Sequence, residues 1–564
     1  MAAIDRRIGW LFVVFLGLLG VAVVKAADLG LLQAGTLQQA AATQQVTRDV
    51  IPAARGVITD RNGVELAISE SADAVIADPY LIKSPQTTAA QLAPLLGKPV
   101  LTVLALLTRP HDGYVPLARL LPADRAAKIM KLQINGISTV PESTRFYPRG
   151  WAASQLLGSV HSDGTGAGGL EYLYNRQLQG ASGVRRIVND AIGQPIAIDD
   201  VRTMKPGATI RLTLDAALQD EVEQVLAGVG AQYSPRGATA IVMNPNTGAI
   251  LALANWPRVN ANDPGAAPPY ATDDRAVTFN YEPGSTFKAI TVAGALQDNV
   301  VSPGTMLPVP SVLHVADRTI HDAEVHPDET LSVAQILKVS SNIGADEIGM
   351  RLGAPRFNYW VHRFGFGAPT GVDLPGEDSG IILPLSKYSG SSMGNLPFGQ
   401  GESVTPIQMA AAYSAIANGG VLRTPHVVQS IGGRPAPVPA GHRIISATTA
   451  AELRAMLQGV LADGGTASGA AIPGYDLAGK TGTASVVVNG NYSSNKYIAS
   501  FIGMVPASAP KLVVAVMVDE PQGSYYGGSV AAPAFQKIVG WAVPYLGIAP
   551  TAPWPAGLAP GSLG

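Results

Sequence analysis

The feature that most constrains this chain is an uninterrupted apolar stretch at residues 8–24, which carries no charged side chain. Arg6 and Arg7 precede this stretch, and Lys25 follows it. Its seventeen residues reach roughly 26 Å as a helix, and a Lys25 ammonium that points outward extends the usable span to about Ala27. We therefore predict a cytoplasmic stub at residues 1–7 and a transmembrane anchor at residues 8–27, with the arginines on the cytoplasmic side.

A cleavable signal peptide is the alternative for this segment, because Ala26 and Ala27 are small. Lys25 lies where a cleavage site requires small neutral residues, which favours an uncleaved anchor. No later stretch is apolar over a spanning length. The sequence thus predicts a single-pass protein of the cell (inner, cytoplasmic) membrane whose remaining residues are extracytoplasmic.

The composition excludes several classes of site. Lysine and arginine total 39 against 41 aspartates and glutamates, and a chain without a basic surplus is not expected to bind nucleic acid. Cysteine is absent, so disulfides and thiolate metal sites cannot form. We predict neither a cofactor nor a metal.

At 564 residues the chain is expected to form two or three folded units. After the anchor we predict a polar stalk at 28–50, a first α+β domain at 51–205, a second α+β domain at 206–548, and a disordered Pro/Gly-rich tail at 549–564. In the first domain we predict a tight turn at 60–63 and helices at 88–96 and 100–107.

The second domain begins with Asp215, which is typical of a helix N-cap and precedes a predicted helix at 216–227. Alternating apolar runs and turn residues predict strands at 238–243 and 249–254, and again at 500–505 and 511–518. A final helix is predicted at 533–545. Strands at both ends of the domain with helices between them indicate an antiparallel sheet built from distant segments, with helices on both sides.

The S-x-x-K pattern at residues 285–288 is the first indication of a catalytic site. The same pattern occurs at 493–496 and 508–511, but in polar turn sequence, with Pro510 inside the second. Ser285 instead precedes an apolar run typical of a buried helix. Ser285 would lie in the first helical turn with Lys288 one turn on and on the same face, where the helix dipole favours an oxyanion.

Two further motifs follow in fixed order, Ser340-Ser341-Asn342 and Lys480-Thr481-Gly482-Thr483. The second lies in a run typical of a strand, where Gly482 would allow a substrate to approach closely. A serine hydroxyl needs a neighbouring base to act as a nucleophile. Lysine can serve only if its pKa falls by about three units, roughly 4 kcal/mol, which burial beside a second lysine can supply.

A cluster of His321, Asp322, Glu324 and His326 is a competing candidate site. Its spacing fits no common metal-ligand pattern, so a solvated loop is the favoured interpretation.

The three motifs resemble those of penicillin-binding proteins and class A β-lactamases. Further resemblance distinguishes the subgroup: residues 55–67, 74–79, 145–148 and 168–171 are similar to the non-catalytic, dimerisation-type pedestal of class B penicillin-binding proteins, and residues 281–288 and 399–406 to their transpeptidase domain. Together these segments cover roughly residues 50–545.

This resemblance implies a monofunctional D,D-transpeptidase that cross-links peptidoglycan stem peptides through a serine acyl-enzyme at D-Ala-D-Ala and is acylated by β-lactams. It implies that Ser285 is the nucleophile, Lys288 the base and Ser340 a proton relay to the leaving amine. Asn342 would hold a substrate amide. Lys480, Thr481, Gly482 and Thr483 would receive the substrate carboxylate, and the backbone N–H groups of Ser285 and Thr483 would form the oxyanion hole.

The implied partners are lipid-II-derived strands, a polytopic lipid-II polymerase and division proteins, with a septal role favoured over elongation. A bifunctional enzyme of this kind would carry a glycosyltransferase domain that starts with a catalytic Glu-Asp pair. Glu-Asp occurs only at 377–378, inside the second domain, so a bifunctional enzyme is excluded. Two alternatives stay open: a serine β-lactamase or D,D-carboxypeptidase, and a non-enzymatic β-lactam sensor or envelope scaffold.

Overall fold

The computed structural model describes residues 2–29, 46–110, 113–189 and 195–551. Most of the predicted stalk and the tail from residue 552 lie outside the described residues. By internal contacts the chain divides into two compact units: Met1–Ala54, Ser71–Ser143 and Gly180–Pro206 form the first, and Arg55–Glu70, Thr144–Gln179 and Gly207–Gly564 form the second.

The helices, in chain order, are α1 (Ala2–Ala27), α2 (Pro85–Leu96), α3 (Val100–Leu107), α4 (Ala123–Met130), α5 (Ser154–Leu157), α6 (Gly169–Leu173), α7 (Asn175–Leu178), α8 (Ala216–Tyr233), α9 (Arg275–Thr278), α10 (Lys288–Gln297), α11 (Val333–Val339), α12 (Asn342–Leu352), α13 (Ala354–Arg363), α14 (Pro406–Ala417), α15 (Ala447–Gln458) and α16 (Gly527–Tyr545).

The strands are β1 (Val46–Ile51), β2 (Ile58–Thr59), β3 (Glu65–Ala77), β4 (Val115–Pro122), β5 (Ile137–Phe146), β6 (Gly183–Asn189), β7 (Pro195–Arg202), β8 (Ile210–Leu212), β9 (Gly237–Met243), β10 (Ile250–Trp256), β11 (Met306–Val309), β12 (Leu313–Val315), β13 (Arg318–Ile320), β14 (Glu329–Ser332), β15 (Val421–Leu422), β16 (Val428–Ile431), β17 (Arg434–Pro435), β18 (His442–Arg443), β19 (Ala478–Val488), β20 (Asn491–Val505) and β21 (Leu512–Asp519).

The first unit contains the apolar helix and a small mixed domain. Residues Arg6–Ala27 of α1 form a helix of about 33 Å that is apolar and long enough to cross a membrane. In the mixed domain, α2 and α3 pack their apolar faces onto the end of β3, which pairs with β4 in antiparallel register. Strands β1, β6 and β7 form a separate antiparallel sheet.

The second unit is organised by a five-stranded antiparallel sheet in the order β10-β9-β21-β20-β19. Alternate residues of β9 enter two different cores, since strand side chains point to opposite faces. Ala240 and Val242 pack with α8 and α16 on one face. Ile241 and Met243 pack with α10 and α14 on the other. The predicted α+β fold with helices on both sides of an antiparallel sheet is confirmed.

Most of the predicted elements are present, with several corrections of length. Strand β20 begins at Asn491, nine residues before the predicted strand at 500–505. Helix α8 begins after Asp215, whose carboxylate accepts from the N–H groups of Ala217 and Leu218, but it continues to Tyr233 because Gly230 lets it pack under the Trp256 ring. Helix α16 begins at Gly527, six residues before the predicted start. The Gly527 N–H at its start donates to the Thr483 hydroxyl on β19, a contact that local sequence does not reveal.

Candidate active site

The nucleophile motif forms a short 3-10 turn, Gly284–Phe287, that runs directly into α10. The Thr286 hydroxyl donates to the Pro283 carbonyl at 2.7 Å, and the Thr286 carbonyl accepts from the Tyr413 hydroxyl at 2.7 Å. These bonds fix the turn, which leaves Ser285 partly exposed while Lys288 is fully buried. The prediction that Ser285 opens a buried helix is confirmed, with 3-10 rather than α geometry in its first turn.

The second motif lies at the junction of α11 and α12. Ser340 ends α11 in the left-handed conformation, with φ of 65°, which is unusual for a residue other than glycine. The Ser341 hydroxyl accepts from the Gly344 N–H at 2.8 Å and caps α12. This sharp change of direction places both Ser340 and Asn342 beside the side chain of Lys288.

Both lysines converge on Ser340. The Lys288 ammonium donates to the Ser340 carbonyl at 2.5 Å, to Asn342 Oδ1 at 2.8 Å and to the Ser340 hydroxyl at 3.3 Å. The Lys480 ammonium donates to the same hydroxyl at 2.8 Å. Both lysine side chains are fully buried. The three motifs therefore meet in space, and one hydroxyl lies between two buried amines.

The electrostatics of this arrangement favour a neutral amine. Burial lowers the pKa of Lys288 to about 7, although the charges of Asp322 and Asp346 oppose that shift. Burial lowers the pKa of Lys480 well below its ordinary value, and the neighbouring charge of Lys288 lowers it further. A buried lysine with a pKa near neutrality is the condition that the sequence analysis set for a lysine base.

The third motif lies on β19, the edge strand of the five-stranded sheet. A Cβ at position 482 would clash with the Ser500 hydroxyl and lie 3.0 Å from Thr286 Cγ2, so only glycine lets the strand lie this close to the nucleophile turn. A Cβ at Gly284 would likewise lie 3.4 Å from the Thr483 carbonyl oxygen. The turn that carries Ser285 and the strand that carries Thr483 are therefore in contact.

Two supporting residues were missed by the sequence argument. The Thr481 and Thr466 hydroxyls hydrogen-bond at 2.8 Å, and the Gly527 N–H donates to the Thr483 hydroxyl at 3.0 Å. Thr466 lies in a turn, and Gly527 at the start of α16. Neither belongs to a motif, so no local signal marks them.

Asp346 is a further missed residue. It lies one turn after Asn342 on α12 and is fully buried, and neither carboxylate oxygen has a hydrogen-bond partner among the described residues. Burial raises its pKa to about 8. An aspartate four residues after a recognised motif asparagine on a helix is a signal that could have been noticed.

Of the two competing S-x-x-K patterns, the one at Ser508 lies in a loop as predicted, whereas the one at Ser493 lies on strand β20 and not in the predicted turn. The Ser493 hydroxyl accepts from the Lys496 N–H at 3.2 Å within β20. The Ser508 N–H donates to Asp476 in a loop. Neither serine begins a helix.

The solvated-loop interpretation of the His321–His326 cluster is wrong for two of its members. The Asp322 and His326 side chains are only 10% and 17% exposed and interact at 3.1 Å, and Asp322 also accepts from the Asn342 N–H of the second motif. Among the described residues, no group of three or more histidine or acidic side chains converges as metal ligands do.

Comparison with known families agrees with this geometry. Residues 238–540, more than half of the chain, match the penicillin-binding protein transpeptidase domain, and residues 50–212 match the penicillin-binding protein dimerisation domain. This chain is a class B penicillin-binding protein. The family prediction is confirmed, and the protein is an enzyme with a transpeptidase domain.

Curated relatives align with this penicillin-binding protein over most of its length. It is 36% identical to stage V sporulation protein D of Bacillus subtilis over 88% of this chain and 79% of that protein. It is 32% identical to the peptidoglycan D,D-transpeptidase FtsI of Escherichia coli over 98% of this chain and 91% of that protein. Among solved structures, penicillin-binding protein 3 of Mycobacterium tuberculosis, complexed with aztreonam, superposes with a TM-score of 0.69 at 28% identity, over 90% of this chain and 99% of the other.

Proposed function

We propose that this penicillin-binding protein is a peptidoglycan D,D-transpeptidase that uses Ser285 as its nucleophile and serves septal wall synthesis. The observation that carries the proposal is the Ser340 hydroxyl held between the buried amines of Lys288 and Lys480. A site of this kind can remove a proton from a serine and deliver one to a leaving amine without histidine.

The first half-reaction acylates the serine. Neutral Lys288 accepts the Ser285 proton as the oxygen attacks the carbonyl of the penultimate D-alanine, and the backbone N–H groups of Ser285 and Thr483 stabilise the oxyanion. The C–N bond then breaks. Ser340 passes a proton to the departing D-alanine amine, and Lys288 replaces the proton that Ser340 gave.

The second half-reaction reverses these roles. The amino group of a second stem peptide attacks the acyl-enzyme, and its proton passes through the same groups as the Ser285–acyl bond breaks and the serine recovers its proton. Thr481, Gly482 and Thr483 on the edge strand receive the substrate carboxylate with Lys480. Asn342 holds a substrate amide.

β-Lactam acylation of Ser285 belongs to the same proposal. The similar penicillin-binding protein 3 of Mycobacterium tuberculosis forms a complex with aztreonam, a β-lactam. A strained lactam carbonyl would occupy the position of the D-alanine carbonyl and leave a covalent adduct.

The septal role is supported by the similarity to FtsI over 98% of this chain. We infer that the anchor helix spans the cytoplasmic membrane with its N-terminus in the cytoplasm, since Arg6 and Arg7 precede the apolar segment. The proposed partners are lipid-II-derived strands, a polytopic lipid-II polymerase and division proteins.

The test is mass spectrometry of the detergent-solubilised full chain after incubation with a penicillin. We expect one adduct, mapped to Ser285 and persisting for hours. Ser285→Ala should abolish the adduct, whereas Ser493→Ala, the matched control in another S-x-x-K pattern, should retain it.

Rapid turnover to hydrolysed drug would instead assign a β-lactamase or carboxypeptidase. If neither an adduct nor turnover were found, the sensor or scaffold alternative would stand. Incubation with donor and acceptor stem peptides, with detection of the cross-linked product, distinguishes a transpeptidase from the hydrolytic enzymes.

A further inference from the structure

The loop between β13 and β14 contacts the second motif through Asp322. Asp322 Oδ1 accepts from the N–H of Asn342 in a short hydrogen bond and from the N–H of Ile343 at 3.1 Å. These are the first two residues of α12, whose N–H groups have no partner within the helix. Ser341 satisfies the next donor, on Gly344. A carboxylate from twenty residues upstream thus completes the cap that Ser341 begins.

The same loop fixes the orientation of the Asn342 side chain. The His321 carbonyl accepts from Asn342 Nδ2 at 3.0 Å. A carbonyl can only accept, so the amide nitrogen must face His321 and the amide oxygen must face away from it. That oxygen accepts from the Lys288 ammonium at 2.8 Å. The loop therefore determines which atom of Asn342 meets the proposed base.

His326 holds Asp322 from the other side. Its Nδ1 lies 2.8 Å from the Pro327 carbonyl and its Nε2 lies 3.1 Å from Asp322 Oδ2. Both partners offer acceptor oxygens, so this arrangement favours the ring that carries a proton on both nitrogens, and these contacts raise the pKa of His326. Glu329, 3.4 Å from Nδ1, adds a second negative charge.

We propose that Asp322 and His326 are positioning residues for the acylation reaction: Asp322 caps α12 and holds the Asn342 backbone against the loop whose His321 carbonyl orients the Asn342 amide, and His326 holds Asp322 in place. Neither residue is placed to touch substrate. The inference rests on the proposed function, because it assumes that Lys288 activates Ser285.

The test is a double-mutant cycle on the full chain, with the rate of Ser285 labelling by a fluorescent penicillin as the readout. At about pH 8.5, where Lys288 is mostly neutral with or without the Asp322 side chain, Asp322→Ala should slow labelling by roughly tenfold or more, the change expected when a hydrogen bond to a charged group is lost. Asn342→Ala should also slow labelling. In the double variant, the loss should match that of Asn342→Ala alone to within about twofold, because Asp322 acts through Asn342.

A stability control separates positioning from simple loss of a helix cap. The Ser446 hydroxyl caps α15 by accepting from the Thr449 N–H at 3.0 Å, and Ser446→Ala should lower the denaturation midpoint with labelling unchanged. His326→Gln should slow labelling less than Asp322→Ala does, since the cap itself remains.

The outcomes are distinct. Losses that multiply in the double variant would overturn the positioning role while leaving the proposed function intact. So would an Asp322→Ala protein that resembles Ser446→Ala, destabilised yet labelled at the normal rate. A wild-type chain that is never labelled at Ser285 would overturn both the proposed function and this inference.

Discussion

The Lys288 side chain has three hydrogen-bond acceptors and no exposure to solvent. Its low pKa results from burial and is moderated by the carboxylates of Asp322 and Asp346. The balance between desolvation and these two charges decides how much neutral base exists at a given pH. At the scale of single residues, the site is therefore expected to be sensitive to pH and to the removal of either carboxylate.

The rate of Ser285 acylation should rise as pH increases through about 7, the pKa of Lys288. The reason is that the neutral amine, present above this pKa, is the form that accepts the serine proton. Stopped-flow labelling with a fluorescent penicillin from about pH 5.5 to about pH 8.5 measures this profile. A flat profile across that range would contradict Lys288 as the base.

Asp346→Asn should move that rise in acylation rate to lower pH. Asp346 raises the pKa of Lys288 when it is ionised, so an uncharged amide of the same size leaves the lysine easier to deprotonate. Because burial raises the pKa of Asp346 itself to about 8, only part of the molecules carry this charge near neutral pH, and the shift should be small. Asp124→Asn is the control, because it removes an exposed carboxylate that belongs to the other compact unit. An unchanged profile for Asp346→Asn would show that the carboxylate does not influence Lys288.

The edge strand β19 carries the third motif and depends on the absence of a side chain at Gly482. Because a Cβ there would clash with Ser500 and crowd Thr286, the strand would have to move away from the nucleophile turn. The distance between the strand and the turn depends on how both elements pack. A change in this distance should affect both the stability of the fold and the rate of Ser285 acylation.

Gly482→Ala should slow Ser285 labelling by roughly tenfold or more and lower the free energy of unfolding by about 1–3 kcal/mol. Gly540→Ala, inside α16 with open space around its Cα, should be close to neutral. Labelling kinetics and denaturant midpoints of the two variants provide the comparison. A normal labelling rate in Gly482→Ala would show that the close approach is not required.

Local sequence predicted elements well where their determinants were local. The strands of the large sheet and the N-cap at Asp215 follow from alternation and from one side-chain acceptor. The true start of α16 and the role of Asp322 depend on contacts between residues far apart in the chain, Gly527 with Thr483 and Asp322 with Asn342. Such contacts exist only after the chain has folded, so no window of sequence contains them.

Two separated segments of the second unit, 55–70 and 144–179, meet in one buried ion cluster. Glu171 accepts from Arg55 Nε at 2.5 Å and from Arg145 Nε at 2.6 Å, and its side chain is fully buried. Arg145 also donates to the Gly56 carbonyl at 2.8 Å. The segments 55–70 and 144–179, assigned to the pedestal from sequence, belong to the same compact unit as the three motifs.

Glu171→Gln should lower the free energy of unfolding of this unit by about 3–5 kcal/mol, because two buried guanidinium groups lose their shared carboxylate. Asp124→Asn, which removes an exposed partner of Lys128, should change it by less than about 1 kcal/mol. Urea denaturation of the detergent-solubilised chains measures both. Equal midpoints for the two variants would show that the cluster does not stabilise the unit.

The Ser340 hydroxyl, which both lysines contact, affects how protons are transferred in the proposed cycle. The proton that leaves Ser285 departs with D-alanine, and the proton that the acceptor amine releases restores the serine. The number of protons in the site therefore returns to its starting value without exchange with bulk solvent. Lys288 and Lys480 both donate to the Ser340 hydroxyl, which links them in this transfer. The proposed cycle therefore needs bulk water neither as a proton donor nor as a proton acceptor.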